Sequence, residues 1–233
     1  MTRPSRLLVV SPHLDDAVFG CGELMRRMPG ALCVTVFAGL PRDPEMQTDW
    51  DRDAGYACAL EALACRRGED AAALRRLGAE AHWLRFTDDQ YGERTSATRE
   101  EVTAALIALI DAHAPDAVAI PFGLFHRDHA LAHEAAIAAL DARPTRDWLA
   151  YEDALYRRLP GLLPARLAAL EARGVRAVPW LFLSSEADSP KHGAVRCYGS
   201  QLRALARPGG PGHADLLAPE ACWRLAAGAA RAA

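Results

Sequence analysis

The chain has 233 residues, of which 51% are hydrophobic and 24% are charged, and this balance excludes a disordered or a fibrous protein. That length suits one ordinary domain with a sizeable core, so we predict a single domain over residues 1–233. The net charge of −3 offers no basic surface for gripping a phosphate backbone, and we therefore expect no nucleic-acid partner.

The N-terminal segment and the cysteines indicate where in the cell the protein is located. The first apolar run, residues 7–10, is shorter than the core of a secretory signal, and no long uncharged apolar stretch follows it. The six cysteines include no CxxC pair, which favours reduced thiols over a metal or redox motif. We expect a cytoplasmic protein without a membrane span, and the sequence leaves a homo-oligomer open.

Short apolar runs alternate with helical spacing along the chain. The predicted strands are residues 7–10, 31–37, 81–86, 116–121, 148–152 and 175–184. The predicted helices are residues 17–28, residues 54–77 with a break at Gly68, and a helix capped by Thr95 or Ser96 that ends near His113. Further helices are predicted for residues 126–140, 160–174 and 189–206 and for the Ala-rich tail from Ala221. Such alternation predicts an α/β fold, a Rossmann-like three-layer sandwich with a mostly parallel sheet.

One segment does not fit the alternation. Residues 38–53 are polar and contain proline, which makes them long for a loop in a compact domain. They are either a lid with a function or a locally ordered insertion, and the sequence supports both equally.

The first motif whose side chains could bind a metal or catalyse a reaction is SPHLDD, residues 11–16, directly after the first strand. Open α/β sheets bind ligands outside the carboxyl ends of their strands, which is where this turn should lie. His13 and Asp16 are three residues apart and could hold one cation, whereas Asp15 points elsewhere and could serve as a base. The structural alternative makes Asp15 and Asp16 a cap and first-turn pair for the following helix.

The second motif is HRDH, residues 126–129, again just past a predicted strand. One of the histidines His126 and His129 could reach a metal while the other faces substrate, and Asp128 could fix the tautomer of a ring. The structural alternative is a polar helix start. Two clusters of histidine and carboxylate at separate strand ends together favour a catalytic metal site.

The sequence leaves the metal open. Two histidines and one aspartate give a four-coordinate zinc one open position, as in catalytic sites. The same ligand set suits non-haem iron.

The pairing of SPHLDD with a downstream HRDH resembles the PIG-L/LmbE-like family of zinc-dependent de-N-acetylases, whose hallmarks are PHxDD and HxDH motifs. The resemblance spans roughly residues 7–201. Softer agreements are Trp50-Asp51, the Arg66-x-x-Glu69 helix and Asp88-x-Gln90-Tyr91.

The resemblance implies a role for each motif residue. It implies that His13, Asp16 and His129 hold zinc, that Asp15 is the general base, and that His126 is the electrophilic partner, oriented by Asp128. It also implies that Asp88 assists the site. Arg66 is a candidate contact for a hydroxyl-rich or phosphorylated substrate, with a surface ion pair as the alternative. Trp50 suits stacking on a sugar, although a structural tryptophan is as common.

The implied reaction is removal of an acetyl group from an N-acetylated sugar, such as N-acetylglucosamine, or from a glycoconjugate. Leu124 and Phe125 are apolar where some sugar deacetylases carry a tyrosine, which leaves the substrate open. An amidase for a non-sugar amide, such as a thiol conjugate or a natural-product intermediate, is the rival enzyme. A binding module that keeps its metal without catalysis is disfavoured because Asp15 and His126 are both present.

Overall fold

The computed structural model describes residues 6–92, 97–184, 186, 188–207, 213 and 215–227. Their strands are β1 (Leu7–Ser11), β2 (Leu32–Thr35), β3 (Glu80–Trp83), β4 (Ala117–Pro121), β5 (Asp147–Tyr151), β6 (Val175–Leu183) and β7 (Glu220–Ala227). Their α-helices are α1 (Asp16–Arg26), α2 (Asp49–Ala54), α3 (Ala59–Leu77), α4 (Arg99–His113), α5 (Arg127–Ala142), α6 (Leu162–Ala172), α7 (Pro190–Val195) and α8 (Gly199–Leu205).

The strands form one sheet in the order β3-β2-β1-β4-β5-β7-β6. The pairs among β1 to β5 are parallel, whereas β7 runs antiparallel to both of its neighbours. The chain therefore builds outward from β1 in one direction, through β2 and β3, and resumes on its other side at β4. The gap between the carboxyl ends of β1 and β4 is the switch point at which such sheets bind ligands.

Helices cover both faces of the sheet, as the apolar character of β1 shows. Leu7 and Val9 pack with α1, α3 and α7 in one core cluster, and Leu8 and Val10 pack with α4 and α5 in the other. Successive residues of a strand point to opposite faces, so an uninterrupted apolar strand must be covered on both sides. The expected α/β, Rossmann-like three-layer architecture with a mostly parallel sheet is confirmed.

Two long predicted helices are each divided in the structure. Gly55, with a φ of 89°, ends α2 in a left-handed conformation, and α3 begins four residues later, so the break expected at Gly68 lies instead at Gly55 and Gly68 is inside α3. Residues 189–206 likewise form α7 and α8 rather than one helix. The segment 38–53 contains α2, whose N-terminus is held by a capping box between Thr48 and Asp51, so it is locally ordered.

The start of α4 also differs from the expectation. Thr98 caps this helix through a second capping box, formed with Glu101. The proposed caps Thr95 and Ser96 lie outside the described residues.

The predicted helical tail from Ala221 is wrong, because residues 220–227 form β7. This strand inserts between β5 and β6 and pairs with both. Hydrogen bonds along two edges outweigh the intrinsic helix preference of alanine, which is at most about 1 kcal/mol per residue.

The insertion of β7 brings a buried ion pair against α1. Lys191 Nζ lies 2.6 Å from Glu220 Oε1 and donates to the carbonyl oxygen of Phe19 at 3.1 Å, and both charged side chains are buried. Glu220 also accepts the main-chain N–H groups of Glu23 and Leu24, just past the kink of α1. Lys191 and Glu220 therefore satisfy the backbone groups that the kink leaves unpaired.

Removing one partner of this pair should cost stability. We expect Lys191→Met to lower the free energy of unfolding by about 3–5 kcal/mol, because the Glu220 carboxylate stays buried without its cation. Urea denaturation measures the loss. The double variant Lys191→Met/Glu220→Gln removes both charges and should recover part of it, and a loss under about 1 kcal/mol in the single variant would contradict the assignment.

Among the described residues, no helix has the combination of length and hydropathy that a membrane crossing requires. All six cysteines are free thiols.

Candidate metal centre and active site

The two motifs meet at the switch point of the sheet. Residues 12–15 form the turn from β1 into α1, and residues 122–126 form the turn from β4 into α5. β1 and β4 are neighbouring parallel strands, so both turns emerge side by side. Gly123, with a φ of 71°, is required in the second turn, because a Cβ there would lie 2.5 Å from the Cβ of His133.

Three side chains converge at this point in the way a metal centre needs. One carboxylate oxygen of Asp16, Oδ2, lies 3.2 Å from Nδ1 of His13 and 3.1 Å from Nε2 of His129. One ligand atom from each of the three residues lies within 4.8 Å of the others. The structure thus brings together the three residues that the resemblance assigned to the metal.

The other ring nitrogen of each histidine is held by a carboxylate. Nε2 of His13 lies 3.0 Å from Oδ2 of Asp128, and Nδ1 of His129 lies 2.6 Å from Oδ1 of Asp153. Carboxylates in this position fix the tautomer and the orientation of metal-binding histidines. The donor set, two imidazole nitrogens and one carboxylate oxygen with supported rings, fits a catalytic Zn²⁺.

A second group of possible ligands, His13, His126 and Asp128, also lies within 4.8 Å. In that group Nδ1 of His126 already accepts the main-chain N–H of Asp128 at 3.2 Å. The first group leaves a free nitrogen on each ring pointing at one shared oxygen, so we assign the metal to it.

The contacts of Asp128 correct one expectation. Its carboxylate was expected to orient His126, but it bonds to the ring of His13 and accepts the main-chain N–H of Asp89 at 2.9 Å. Only its main-chain N–H contacts the ring of His126. The carboxylate therefore supports a metal ligand, and the backbone of α5 orients His126.

Asp153 is the functional candidate that sequence reasoning missed. It lies two residues beyond β5, and its second oxygen accepts the main-chain N–H of Leu124 at 3.2 Å. It therefore ties the turn after β4 to the ring of His129. Its position directly after the predicted strand 148–152, at the same edge of the sheet as the two motifs, was the sequence feature that could have identified it as a site residue.

Replacement of Asp153 tests its support of the metal ligand. We expect Asp153→Asn to weaken Zn²⁺ binding about 10- to 100-fold, because the ring of His129 loses its anionic partner. Competition with a chromogenic chelator measures the affinity. Asp147→Asn, an exposed aspartate at the start of β5, is the matched control and should leave it unchanged. Equal affinity in the two variants would refute the role.

The carboxylates shift the proton affinities of the ligands. Burial alone lowers the pKa of His129, but Asp16 and Asp153 raise it to about 9. Burial also opposes the charged form of His13, whose pKa Asp88, Asp128 and Asp16 nevertheless raise well above its ordinary value. Burial favours the protonated form of Asp16, yet His129 and His13 hold its pKa far below its usual range.

These shifts predict how metal binding depends on pH. Below a pKa of about 9 the ring of His129 carries a proton that a metal must displace. Affinity for Zn²⁺ should therefore increase with rising pH, by up to about tenfold per pH unit for each displaced proton. Calorimetry in buffers of different ionisation enthalpy counts the released protons, and an affinity that is constant or falls across neutral pH would contradict the assignment.

Asp15 lines the cavity beside His13, Asp16 and His129, and its side chain does not cap the helix. It occupies the N-cap position of α1, but its side chain makes no capping hydrogen bond. Burial and the neighbouring carboxylate of Asp16 raise the pKa of Asp15 well above its ordinary value. A carboxylate with raised proton affinity in an open site is suited to general base chemistry.

His126 presents the other reactive group. Because its Nδ1 accepts an N–H group, its neutral ring carries the proton on Nε2. Burial and the nearby rings of His13 and His129 lower the pKa of His126, which favours this neutral form. His126 is therefore a hydrogen-bond donor in its neutral form.

His13, Asp16 and His129 open into a cavity of about 790 Å³. That volume is typical of a small-molecule site. Its wall also includes the three predicted substrate residues, Trp50, Arg66 and Asp88.

The three predicted substrate residues are held by neighbours. Arg66 is buried in an ion pair, with Nη2 at 2.8 Å from Oδ1 of Asp51, rather than in a surface pair. Trp50 donates from Nε1 to Gln201 at 2.8 Å. Asp88 accepts from Gln90 through both carboxylate oxygens and lies 3.8 Å from Nε2 of His13.

Comparison with known proteins gives matches to a family and to solved structures. The family model described as "PIG-L: GlcNAc-PI de-N-acetylase" matches residues 8–140. A search of curated proteins finds no match.

Among solved structures, the zinc-inhibited form of teicoplanin deacetylase Orf2 is similar, with 25% identity, a TM-score of 0.78, and coverage of 94% of this chain and 97% of that one. The A40926 pseudoaglycone deacetylase Dbv21 is 25% identical, with a TM-score of 0.74 and coverage of 97% and 99%. The N,N'-diacetylchitobiose deacetylase of Pyrococcus horikoshii, 20% identical with a TM-score of 0.56 and coverage of 85% and 71%, shares the fold.

Proposed function

Because the chain belongs to the PIG-L family, matched over residues 8–140, we propose that it is a zinc-dependent hydrolase that removes the N-acetyl group from an N-acetylated sugar or glycoconjugate. The observation that carries the proposal is the convergence of His13, Asp16 and His129 beside Asp15, whose side chain makes no capping hydrogen bond to α1. That arrangement supplies a metal centre and a base within one cavity.

We assign the protein groups to the steps of amide hydrolysis as follows. His13, Asp16 and His129 would hold the Zn²⁺, which when bound would supply Lewis acidity for the activation of water and of an amide carbonyl. Asp15 accepts the proton that the water loses as its oxygen attacks the carbonyl carbon. His126 donates from Nε2 to the carbonyl oxygen as negative charge develops on it, a contribution of about 3 kcal/mol for one well-placed donor.

The C–N bond then breaks and the departing nitrogen needs a proton. Asp15, which took one from the water, returns it to the nitrogen. The immediate products are acetic acid and an amine, and transfer of the acid proton to the amine gives acetate and an ammonium group, which accounts for both protons of the water.

The substrate-binding part of the proposal rests on the cavity wall. Arg66 and Asp88 offer charged groups, and Trp50 offers a ring, to a polyhydroxylated small molecule. Two of the similar structures are named as deacetylases of teicoplanin and of the A40926 pseudoaglycone. These names support a glycoconjugate as the substrate of this protein. We place this activity in the cytoplasm and leave self-association open.

A substrate panel tests the proposal. Metal-loaded protein is incubated with N-acetylglucosamine, N-acetylated glycosides and sugar nucleotides, and released acetate and new primary amine are measured together. We expect equimolar acetate and amine from at least one N-acetylated sugar. Turnover of N-acetylated thiol conjugates or simple amides alone would favour the rival amidase, and binding without turnover would favour the binding module.

The native metal is settled by a separate measurement. Elemental analysis of protein purified without added metal should find zinc. Iron in its place would favour the alternative reading of the same ligand set.

A further inference from the structure

The ring of His129 has an aromatic neighbour that the proposed hydrolysis does not use. The ring of Tyr156 meets it edge to face, with centroids 5.2 Å apart, and the ring of His126 lies 5.6 Å from it. His126, the proposed donor to the carbonyl oxygen, and Tyr156 both line the cavity. This metal ligand is therefore flanked by two side chains that each carry a hydrogen-bond donor.

The backbone holds Tyr156 in this place. Tyr156 lies one turn beyond Asp153, and its main-chain N–H donates to the carbonyl oxygen of Asp153 at 3.0 Å. Because the carboxylate of Asp153 bonds to Nδ1 of His129, one turn of chain makes two contacts with the same ring. Arg157, the next residue, donates from its side chain to two main-chain carbonyl oxygens in the segment just before β7. The turn is thus fixed at both ends, as a preorganised donor requires.

The hydroxyl group of Tyr156 is free to bind a ligand. It forms no hydrogen bond with any of the residues that the structure describes, and it opens into the cavity rather than being sealed inside the protein. Of the described residues that line the cavity, Tyr91 and Tyr156 carry hydroxyl groups, and the ring of Tyr156 is the one that packs on a metal ligand. The ordinary pKa of a phenol is about 10, so Tyr156 is a neutral donor at neutral pH.

We propose that Tyr156 is a second oxyanion donor, whose hydroxyl donates a hydrogen bond to the carbonyl oxygen of the amide as that oxygen gains negative charge. The inference rests on the proposed function and adds a catalytic residue to it. Tyr156 keeps its proton throughout, so no bond forms or breaks at the phenol and the proton transfers assigned to Asp15 are unchanged. A fixed dipole aimed at developing charge stabilises the transition state more than the ground state.

The variant Tyr156→Phe isolates the hydroxyl group, because the ring and its contacts with His129 and Phe125 remain. We expect kcat for acetate release from N-acetylglucosamine to fall about 10²-fold, while KM stays within about a factor of two of the wild-type value. Zinc content and melting temperature should equal those of the wild-type protein. A role in packing alone would leave kcat unchanged.

Binding of methylphosphonate supplies a readout that does not depend on turnover. Its methyl group and tetrahedral oxygens resemble the adduct that water forms with an acetyl group, so it probes the same hydrogen bonds. Calorimetry on zinc-loaded protein should give an affinity at least about tenfold lower for Tyr156→Phe than for the wild type, because a charge-assisted hydrogen bond is lost.

Another tyrosine provides the matched control. The hydroxyl of Tyr198 donates to the buried carboxylate of Asp70 at 2.7 Å, and Tyr198 does not line the cavity. Tyr198→Phe removes the same group and an existing hydrogen bond, so it should lower the melting temperature. Both kcat and the affinity for methylphosphonate should stay at their wild-type values.

The outcomes separate this inference from the proposed function. Unchanged kcat and unchanged methylphosphonate affinity in Tyr156→Phe, with acetate released by both proteins, overturn the donor role and leave the deacetylase. A lower methylphosphonate affinity in Tyr156→Phe, with no acetate released by the wild type from any N-acetylated sugar, supports the donor role and counts against deacetylation. Loss of zinc in Tyr156→Phe would show that the phenol only supports His129, and would overturn the inference.

Discussion

Replacing Asp15 with asparagine should lower kcat about 10²- to 10⁴-fold while Zn²⁺ binding stays intact. The reason is that Asp15 lines the cavity, while its side chain makes no capping hydrogen bond to α1 and does not belong to the ligand group around Asp16. An amide of the same shape keeps the packing and removes the proton acceptor. Steady-state release of acetate and zinc content per chain are the two measurements.

The neighbouring residue gives the sharpest comparison. Asp16→Asn should lose both zinc and turnover, because Oδ2 of Asp16 is the oxygen that faces His13 and His129. Asp49→Asn, whose side chain is 83% exposed on α2, should change neither. If Asp15→Asn hydrolyses substrate at the wild-type rate, Asp15 is not the base. If Asp15→Asn loses zinc as Asp16→Asn does, the assignment of Asp15 as the base and of Asp16 as the metal ligand is wrong.

Replacement of His129 by glutamine should abolish zinc binding at stoichiometric concentrations and reduce turnover to background. His129 contributes one of three ligand atoms, and its ring is already fixed by Asp153 on the opposite nitrogen. Loss of one of three protein ligands leaves a site that no longer meets the coordination that catalytic zinc needs. Zinc content after gel filtration and acetate release report on the two losses.

A second buried histidine on α5 controls for the loss of a ring. His133 bonds to the carbonyl oxygen of Pro121 at 2.9 Å, and burial lowers its pKa to about 3, but it lies outside the ligand group. His133→Gln should therefore keep zinc near one ion per chain. Equal loss of zinc in the two variants would show that the effect comes from damage to α5.

Sequence alone could predict the two motifs because each is local. SPHLDD follows a four-residue apolar run and HRDH follows another, so the positions of His13 and His129 at strand ends were readable without the fold. The switch point then brings the motifs together, because β1 and β4 are adjacent. Local spacing and the general behaviour of open sheets were sufficient to place both motifs at one edge of the sheet, and the resemblance to the PIG-L/LmbE-like family selected His129 rather than His126 as a ligand.

The partners of those ligands depend on long-range contacts. The resemblance paired Asp128 with His126, which is two residues away in sequence. The carboxylate of Asp128 instead bonds to His13, which is 115 residues away in sequence. Asp153 has no histidine near it in the chain, and only the sheet brings it to His129. Neither contact has a local signal.

The C-terminal strand was unpredictable for a related reason. The segment 220–227 contains three alanines, and alanine favours a helix in isolation. Its conformation is decided by β5 and β6, which leave room for one antiparallel strand between them. Hydrogen bonds to β5 and β6 therefore determine the conformation of β7, against the intrinsic helix preference of its alanines.

The central claim is metal-assisted hydrolysis of an N-acetyl group at the site of His13, Asp16 and His129. The most direct test follows acetate and amine release by one preparation through three states: zinc-loaded, chelated, and zinc-restored. The account predicts equimolar products in the first state, none in the second, and recovery in the third, with no recovery in His129→Gln. Product release that is indifferent to the chelator would contradict it.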